Sequence, residues 1–378
     1  MVGPYEHLSG PLSGLRVLEM AEGVAGPMTG RLLADAGADV IKVERGSGDY
    51  TRRWSPQWHG TGAAYIWLNR SKRSIRVESF AAPECHALAS LSDVLIADHG
   101  EVDVGAIQDI NASLVVGVVS GWGVEGPWSE RRASELATQL ASEATSSLGR
   151  VGDEPVRIGT DHASMSAAFY LMQGVIAALI SLEPGRGQRV DVSLFGSLLH
   201  LRSTLWVALS NPDDWSGFHL DSYLRRPMYG YTCSDGRLHI SLGRVDDMEA
   251  LVKDLRMDFV LEDERWPLFR SDVAGVMGRH ADSLHELWDR GLSRWTIAEA
   301  VGIIELHGGW AFPFLDFEAL LADPHARDVG LLQPLAAPSL TEMPQLRTMW
   351  RFSDTPVGSI RPAPQLDEHG DDIRAALG

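Results

Sequence analysis

Apolar runs and polar breaks alternate from the start of the chain in a β-α-β rhythm. Residues 15–20 form a short apolar run of strand length, and Gly23, Gly26 and Pro27 punctuate the turn after it. Residues 28–36 carry apolar side chains at helical spacing, Gly37 closes that helix, and 40–43 make the next strand. Two further buried-type strands are predicted within 92–100 and 114–123, with helical stretches between the strands. This order predicts an open, mostly parallel sheet. The first turn lacks the G-x-G-x-x-G spacing of a dinucleotide site.

The stretch 163–182 is apolar nearly all the way round, which predicts a buried helix. A glycine turn, "EPGRGQ", and a further segment, "RVDVSLF", follow it. Residues 211–217 turn polar, and 228–243 read as a hairpin turning at Asp235-Gly236. Helical stretches to about 311 complete a small α+β unit, and "FEALLADPHARDVGLL" reads as an amphipathic helix with its stop signal.

The 378 residues, 44% of them hydrophobic, suffice for a large core and for two domains or one elaborated domain. A net charge of −18 argues against binding nucleic acid or an anionic membrane surface. Cys85 and Cys233, distant in sequence and outside any metal-ligand spacing, fit a reducing compartment. The chain shows no leader pattern and no apolar run of about 18 residues, so a cytoplasmic location is expected.

The motifs "PLSGLRVLEMAEGVAGP", "LLADAGADVIKVERGSGDYTRRW", "LNRSKRSI", "SGWGVEGPW", "AALISLEPGRGQRVDVSLF", "YTCSDGRLHI", "LLADPHARDVGLL" and "RPAPQLDEH" occur in this order over almost the whole chain. Together they resemble the class III CoA-transferase family, the group of formyl-CoA and carnitine CoA-transferases. The resemblance implies an α/β fold with a Rossmann-like open sheet in a large domain (1–210 and 320–378). It also implies a smaller α+β domain (211–319) and an interlocked homodimer. The substrates it implies are coenzyme A, as acyl-CoA, and a carboxylic acid, with no metal. In the family reaction an aspartate attacks the thioester, forms a mixed anhydride, and then carries CoA as an aspartyl thioester.

The coenzyme's phosphates need cationic or N–H donors. Arg45 follows the strand "VIKVE", where ligands of open sheets bind, and it matches a family CoA-contacting arginine. By the resemblance, Ala25, Lys72, Arg73 and Arg132 are further expected CoA contacts. The loop "ADHGEVDVG" lacks the family's arginine and carries Glu101 and Asp103, acids that repel phosphate.

Counted without gaps from Gly159 and Gly174, the family's nucleophilic aspartate falls on Ser164. Asp161 stands three residues earlier, about one helical turn. Three readings follow. Asp161 is the nucleophile, helped by His162; or the chain is a catalytically silent CoA-binding subunit of a heteromeric transferase; or Glu143 or Ser164 accepts the acyl group. Asp161 also suits a plain helix N-terminal role. Glu135 matches a family acid that supports the aspartate. The aromatics Trp206, Trp215, Phe218, Tyr223 and Trp310 are candidates to line an apolar acceptor site, and "DEHGDD" around His369 reads as a solvated tail.

Overall fold

The computed structural model describes residues 9–147, 154–203, 230–271, 281–333, 345–358 and 360–377. Its chain divides into two compact units, one made of Met1–Ala144, Ile158–Arg202 and Arg327–Gly378, the other of Thr145–Arg157 and Ser203–Ala326. The division therefore falls near 203 and 326, where the sequence and its resemblance implied 211 and 319.

The first unit is built on six strands: β1 (Arg16–Met20), β2 (Asp39–Arg45), β3 (Arg73–Val77), β4 (Val94–Asp98), β5 (Val115–Ser120) and β6 (Arg189–Ser193). They lie side by side in the order β3-β2-β1-β4-β5-β6, and all are parallel. Helices α1 (Ala25–Asp35), α2 (Ala63–Leu68), α3 (Pro83–Ser90), α4 (Val104–Ile110), α5 (Glu135–Ala141), α6 (His162–Ile180) and α7 (Leu194–Leu201) belong to the same unit. A parallel sheet covered on both faces needs strands that are apolar throughout, and β4 and β5 are buried over nearly their whole length.

Side chains alternate across the sheet. Val17, Val94 and Val115 meet Leu33 of α1 and Leu171 and Val175 of α6. Leu18, Leu95 and Val116 point the other way, onto Leu88, Ile107 and the C-terminal Ile373.

In the second unit, Tyr231–Cys233 (β7), Gly236–Ser241 (β8) and Trp310–Pro313 (β9) form an antiparallel sheet. Leu238 and Ile240 pack with Leu251, Leu287, Ile304 and the fully buried Trp288.

Four expectations change. Cys233 pairs with Gly236, so the hairpin turns on Ser234-Asp235, one residue early. "FEALLADPHARD" is two short helices, Phe317–Ala322 and Pro324–Asp328, because the residue before a proline avoids helical geometry. Helix α6 buries the face bearing Ala167, Leu171, Val175 and Ala178, while Ile180 stands 82% exposed.

The fourth is "DEHGDD", which is no solvated tail. The Ser74 and Arg76 amides donate to His369 Nδ1 (3.2 Å) and Asp367 Oδ1 (2.8 Å), and the His369 amide donates to the Ser74 carbonyl. The segment covers the outer edge of β3.

Candidate functional site

The strand order reverses between β1 and β4, and ligands of such sheets bind beyond the carboxyl ends of the strands at that point. The backbone there is held by two acids. The Glu22 amide donates to Asp98 Oδ2 at 2.8 Å, and the Gly23 amide reaches both oxygens of Asp49 at 3.2 and 3.3 Å. Gly23 has φ +83°, and a Cβ there would fall 2.0 Å from the Tyr50 hydroxyl, so this turn requires glycine. Buried Ala25 then opens α1, whose N-terminus is capped by no side chain. Uncapped N–H groups at a crevice suit an anionic group.

Asp98 closes the apolar run "VLIAD", a signal the sequence reading passed over. Loss of solvation pushes its carboxyl up to about 7, against the Glu22 amide and Lys42, which favour the anion. The folded chain therefore keeps a proton on Asp98 that the unfolded chain releases near the ordinary 3.8. The stability that Asp98 contributes is therefore lost as pH rises from about 4 to about 7 and does not change above that. The slope is shallow, because the side chain is only half-buried and solvent screens it. Urea unfolding at several pH values should show this slope in the difference between the parent and Asp98→Asn; a pH-independent difference would refute it.

Arg45 ends β2 with its guanidinium over the Phe80 ring, 4.1 Å from the centroid. It pairs with Glu22 at 3.3 Å and with Glu101 at 3.0 Å. A phosphate arriving here has to displace those acids. Asp103, the other acid of that loop, caps α4 by accepting from the Ala106 amide.

Lys72 and Arg73 sit elsewhere. The Lys72 ammonium is fully buried and donates to Glu19 (2.7 Å), the Pro27 carbonyl (2.7 Å) and Asn69 (2.8 Å). An ammonium has three N–H donors, so none is left for a phosphate in this structure. Burial, only partly offset by Glu19, lowers its pKa to about 8. Arg73 is buried against Asp39 of the neighbouring strand. Arg132 is exposed, and its carbonyl accepts from the Trp122 indole at 3.3 Å.

Beneath the crevice, Lys42 donates to Glu19 Oε1, Asp49 Oδ2 and the Ala21 carbonyl, each at 2.9 Å. Burial opposes its charge, but Asp49, Glu19 and Glu44 more than reverse that and raise its pKa well above the ordinary value.

The start of α6 brings Glu135, Asp161 and Ser164 together. An α-helix begins with four N–H groups that lack intrahelical partners. Here His162 N donates to the Thr160 carbonyl, and Ala163 N and Ser164 N donate to Glu135 Oε1 (2.8 Å) and Oε2 (2.9 Å). Met165 N, one residue on, donates to the Asp161 carbonyl. Asp161 occupies the N-cap position, at φ −77° and ψ 64°, yet makes no side-chain cap bond. The N–H groups an N-cap side chain would take are held by Glu135, from another helix. Asp161 therefore stands at the helix N-terminus, as expected, but without a side-chain bond to the first-turn amides.

The Ser164 hydroxyl donates to Glu135 Oε2 at 2.7 Å and is nearly buried. Gln139, fully buried, ties the group together. Its amide donates to Glu135 Oε1 (2.8 Å) and the Thr160 carbonyl (3.3 Å), and its carbonyl accepts from Ile158 N (3.1 Å). Glu143 follows the end of α5 at φ +61°, where glycine is the usual residue, so it is a turn residue.

Trp310 lies on β9 beside His239 and Phe312. Trp206, Trp215, Phe218 and Tyr223 fall outside the described residues. Among the described residues no three His, Cys, Asp or Glu side chains gather as a metal set. Helix α6 is the one described helix long and apolar enough to cross a membrane, and it packs in the core against α1 and β5.

Comparison with known proteins bears on this arrangement. Residues 12–370 match the model of CoA-transferase family III. The chain is 29% identical to a succinate–glutarate CoA-transferase of Agrobacterium fabrum, over 97% of this chain and 96% of the relative. It is 25% identical to a formyl-CoA:oxalate CoA-transferase of Streptomyces coelicolor, over 96% and 94%. A crystal structure of a CAIB/BAIF family protein from Brucella suis superposes with a TM-score of 0.84 at 28% identity, covering 98% of this chain and all of that one. With the family model spanning nearly the whole sheet-and-helix framework, this chain belongs to CoA-transferase family III, enzymes that move CoA between an acyl-CoA and a carboxylic acid.

Proposed function

We propose that Asp161 is the carboxylate that carries CoA in this enzyme. The observation behind this reading is the capping of α6 by Glu135, which relieves Asp161 of the role its position would otherwise impose. An Asp161 oxygen attacks the thioester carbonyl, CoA leaves as thiolate, and a mixed anhydride forms. The thiolate then attacks the Asp161 carbonyl carbon and releases the donor acid. The acceptor acid repeats both steps in reverse, and Asp161 is regenerated.

The neighbouring groups suit this less well. An ester on Ser164 would hold the acyl group rather than CoA, so it has no route to a new thioester. The Glu135 carboxylate accepts from Ala163 N, Ser164 N, Ser164 Oγ and Gln139 Nε2, so its oxygens are already engaged and poorly placed to attack.

For the coenzyme we propose the crevice between β1 and β4, with Ala25 at the start of α1 and Arg45 as contacts. Succinate and glutarate, named in a relative's activity, are the first acids to try. A cytoplasmic homodimer, interlocked as in the family, is part of the same reading. It would cover the exposed Trp310, Phe312, Phe314 and Phe317 of the second unit.

The test is chemical trapping. The protein is incubated with succinyl-CoA, quenched with hydroxylamine or borohydride, and mapped by mass spectrometry. Hydroxamate or a reduced side chain at Asp161 is expected. Modification at Glu135 or Glu143 instead would overturn the assignment. A chain that stays unmodified with every donor and gains activity only beside a second family member would be the silent subunit of a heteromer.

A further inference from the structure

The motif "SGWGVEGPW" leaves β5 at the carboxyl edge of the sheet, and its two tryptophans meet a third ring from the next strand's exit. Trp122 and Trp128 stand edge to face at 5.2 Å, and Phe195, second residue of α7, lies 5.7 Å from one and 5.8 Å from the other. The group is fixed from behind. Trp122 donates to the Arg132 carbonyl, and the Phe195 amide donates to the Gly121 carbonyl at 3.1 Å. Gly121 passes so close to Ala133 that a Cβ would fall 2.0 Å from the alanine methyl. The Arg131 guanidinium stands over the Trp128 ring at 5.5 Å, and the rings are otherwise partly open to solvent. Trp122 and Phe195 are half-buried, and Trp128 is 39% exposed.

Both sides of this aromatic shelf run straight into the start of α6. Arg132 precedes Ser134, the cap of α5, and Glu135. Leu194 and Leu198, on either side of Phe195, pack with Ala163, whose amide donates to Glu135. Three rings whose chain neighbours pack against the start of α6 fit the acyl part of a thioester held there, since the phosphates and amides of CoA are polar over most of its length. Rings pack best on flat or bulky apolar partners.

We propose that Trp122, Trp128 and Phe195 form the acyl subsite and that the enzyme favours aryl or other bulky apolar acyl-CoA donors over small ones. This rests on the thioester lying at the start of α6, as proposed above.

The test compares kcat/KM for benzoyl-CoA and acetyl-CoA, with one acceptor acid, in the parent and in Trp128→Ala and Phe195→Ala. The ratio is internal to each preparation, so a partly misfolded variant does not disturb it. The parent is expected to prefer benzoyl-CoA, and each variant to lower that preference about tenfold. Tryptophan fluorescence of Asp161→Asn protein supplies a readout free of catalysis. Benzoyl-CoA should change it more than acetyl-CoA does, and the difference should shrink in Asp161→Asn/Phe195→Ala.

An unchanged ratio, or no preference in the parent, overturns the proposal. Equal fluorescence changes with benzoyl-CoA, acetyl-CoA and free CoA would mean that the rings meet the coenzyme, and would also overturn it. Should Asp161→Asn prove active, the nucleophile assignment fails while the substrate ratio still decides the subsite.

Discussion

Asp161→Asn enzyme should transfer CoA at least about a thousandfold more slowly than the parent, with little change in fold. The substitution keeps size and hydrogen-bonding shape but removes the oxygen nucleophile that an anhydride requires. The first turn of α6 should persist, because its amides depend on Glu135 and the Thr160 carbonyl instead. Ser164→Ala is the matching control. It deletes one hydroxyl hydrogen bond to Glu135 and should leave kcat within a few-fold. Single-turnover kinetics with succinyl-CoA separates the two. An inactive Ser164→Ala beside an active Asp161→Asn would return the nucleophile to the position the ungapped register indicated.

Lys42→Met should be the most damaging substitution for stability. Lys42, Glu19 and Asp49 are wholly buried, and the ammonium lies between the two carboxylates. Charges removed from water are tolerable only while compensated, and breaking such a set from one side costs about 3–5 kcal/mol. Glu19 would retain Lys72, but Asp49 would lose its only ammonium partner among the described residues and keep Gly23 N, Thr51 N and Thr51 Oγ1. Because Asp49 also holds the Gly23 amide, the crevice at the strand-order reversal should loosen as well. Urea unfolding measures the loss. Adding Asp49→Asn to Lys42→Met should recover part of it, since the stranded charge is then gone. A Lys42→Met protein as stable as the parent would show that the network contributes nothing.

The parallel core was legible because β4 and β5 read as nearly unbroken apolar runs, and because the apolar residues of β1 and β2 outnumber the buried charges Glu19 and Lys42 that interrupt them. Strands β3 and β6 were not. "RSIRV" hides its charge by pairing Arg73 with Asp39 across the sheet, and "RVDVS" is an edge strand left half-open. Neither pairing is visible to a local pattern.

At the site, the acids and the serine were nameable from family register and from their position at a helix start. Their roles were hidden by distance along the chain. Glu135 caps Ser164 from 29 residues away, so the ordinary N-cap duty of Asp161 could not be seen to pass elsewhere. Lys72 looked like a surface cation because it sits in a polar stretch, yet Glu19, 53 residues earlier, draws it into the core. Phe195 carried no signal at all. Only the adjacency of β5 and β6 brings it to Trp122 and Trp128.

An open sheet has two raw borders, each a template for further strands. In this enzyme the β3 border is sealed late, by Asp367, His369 and Arg374, all from the last part of the chain. A nascent chain still lacking those residues carries an unguarded ledge at β3. Protection from clumping there thus waits on a segment made 291 to 298 residues after the strand it shields.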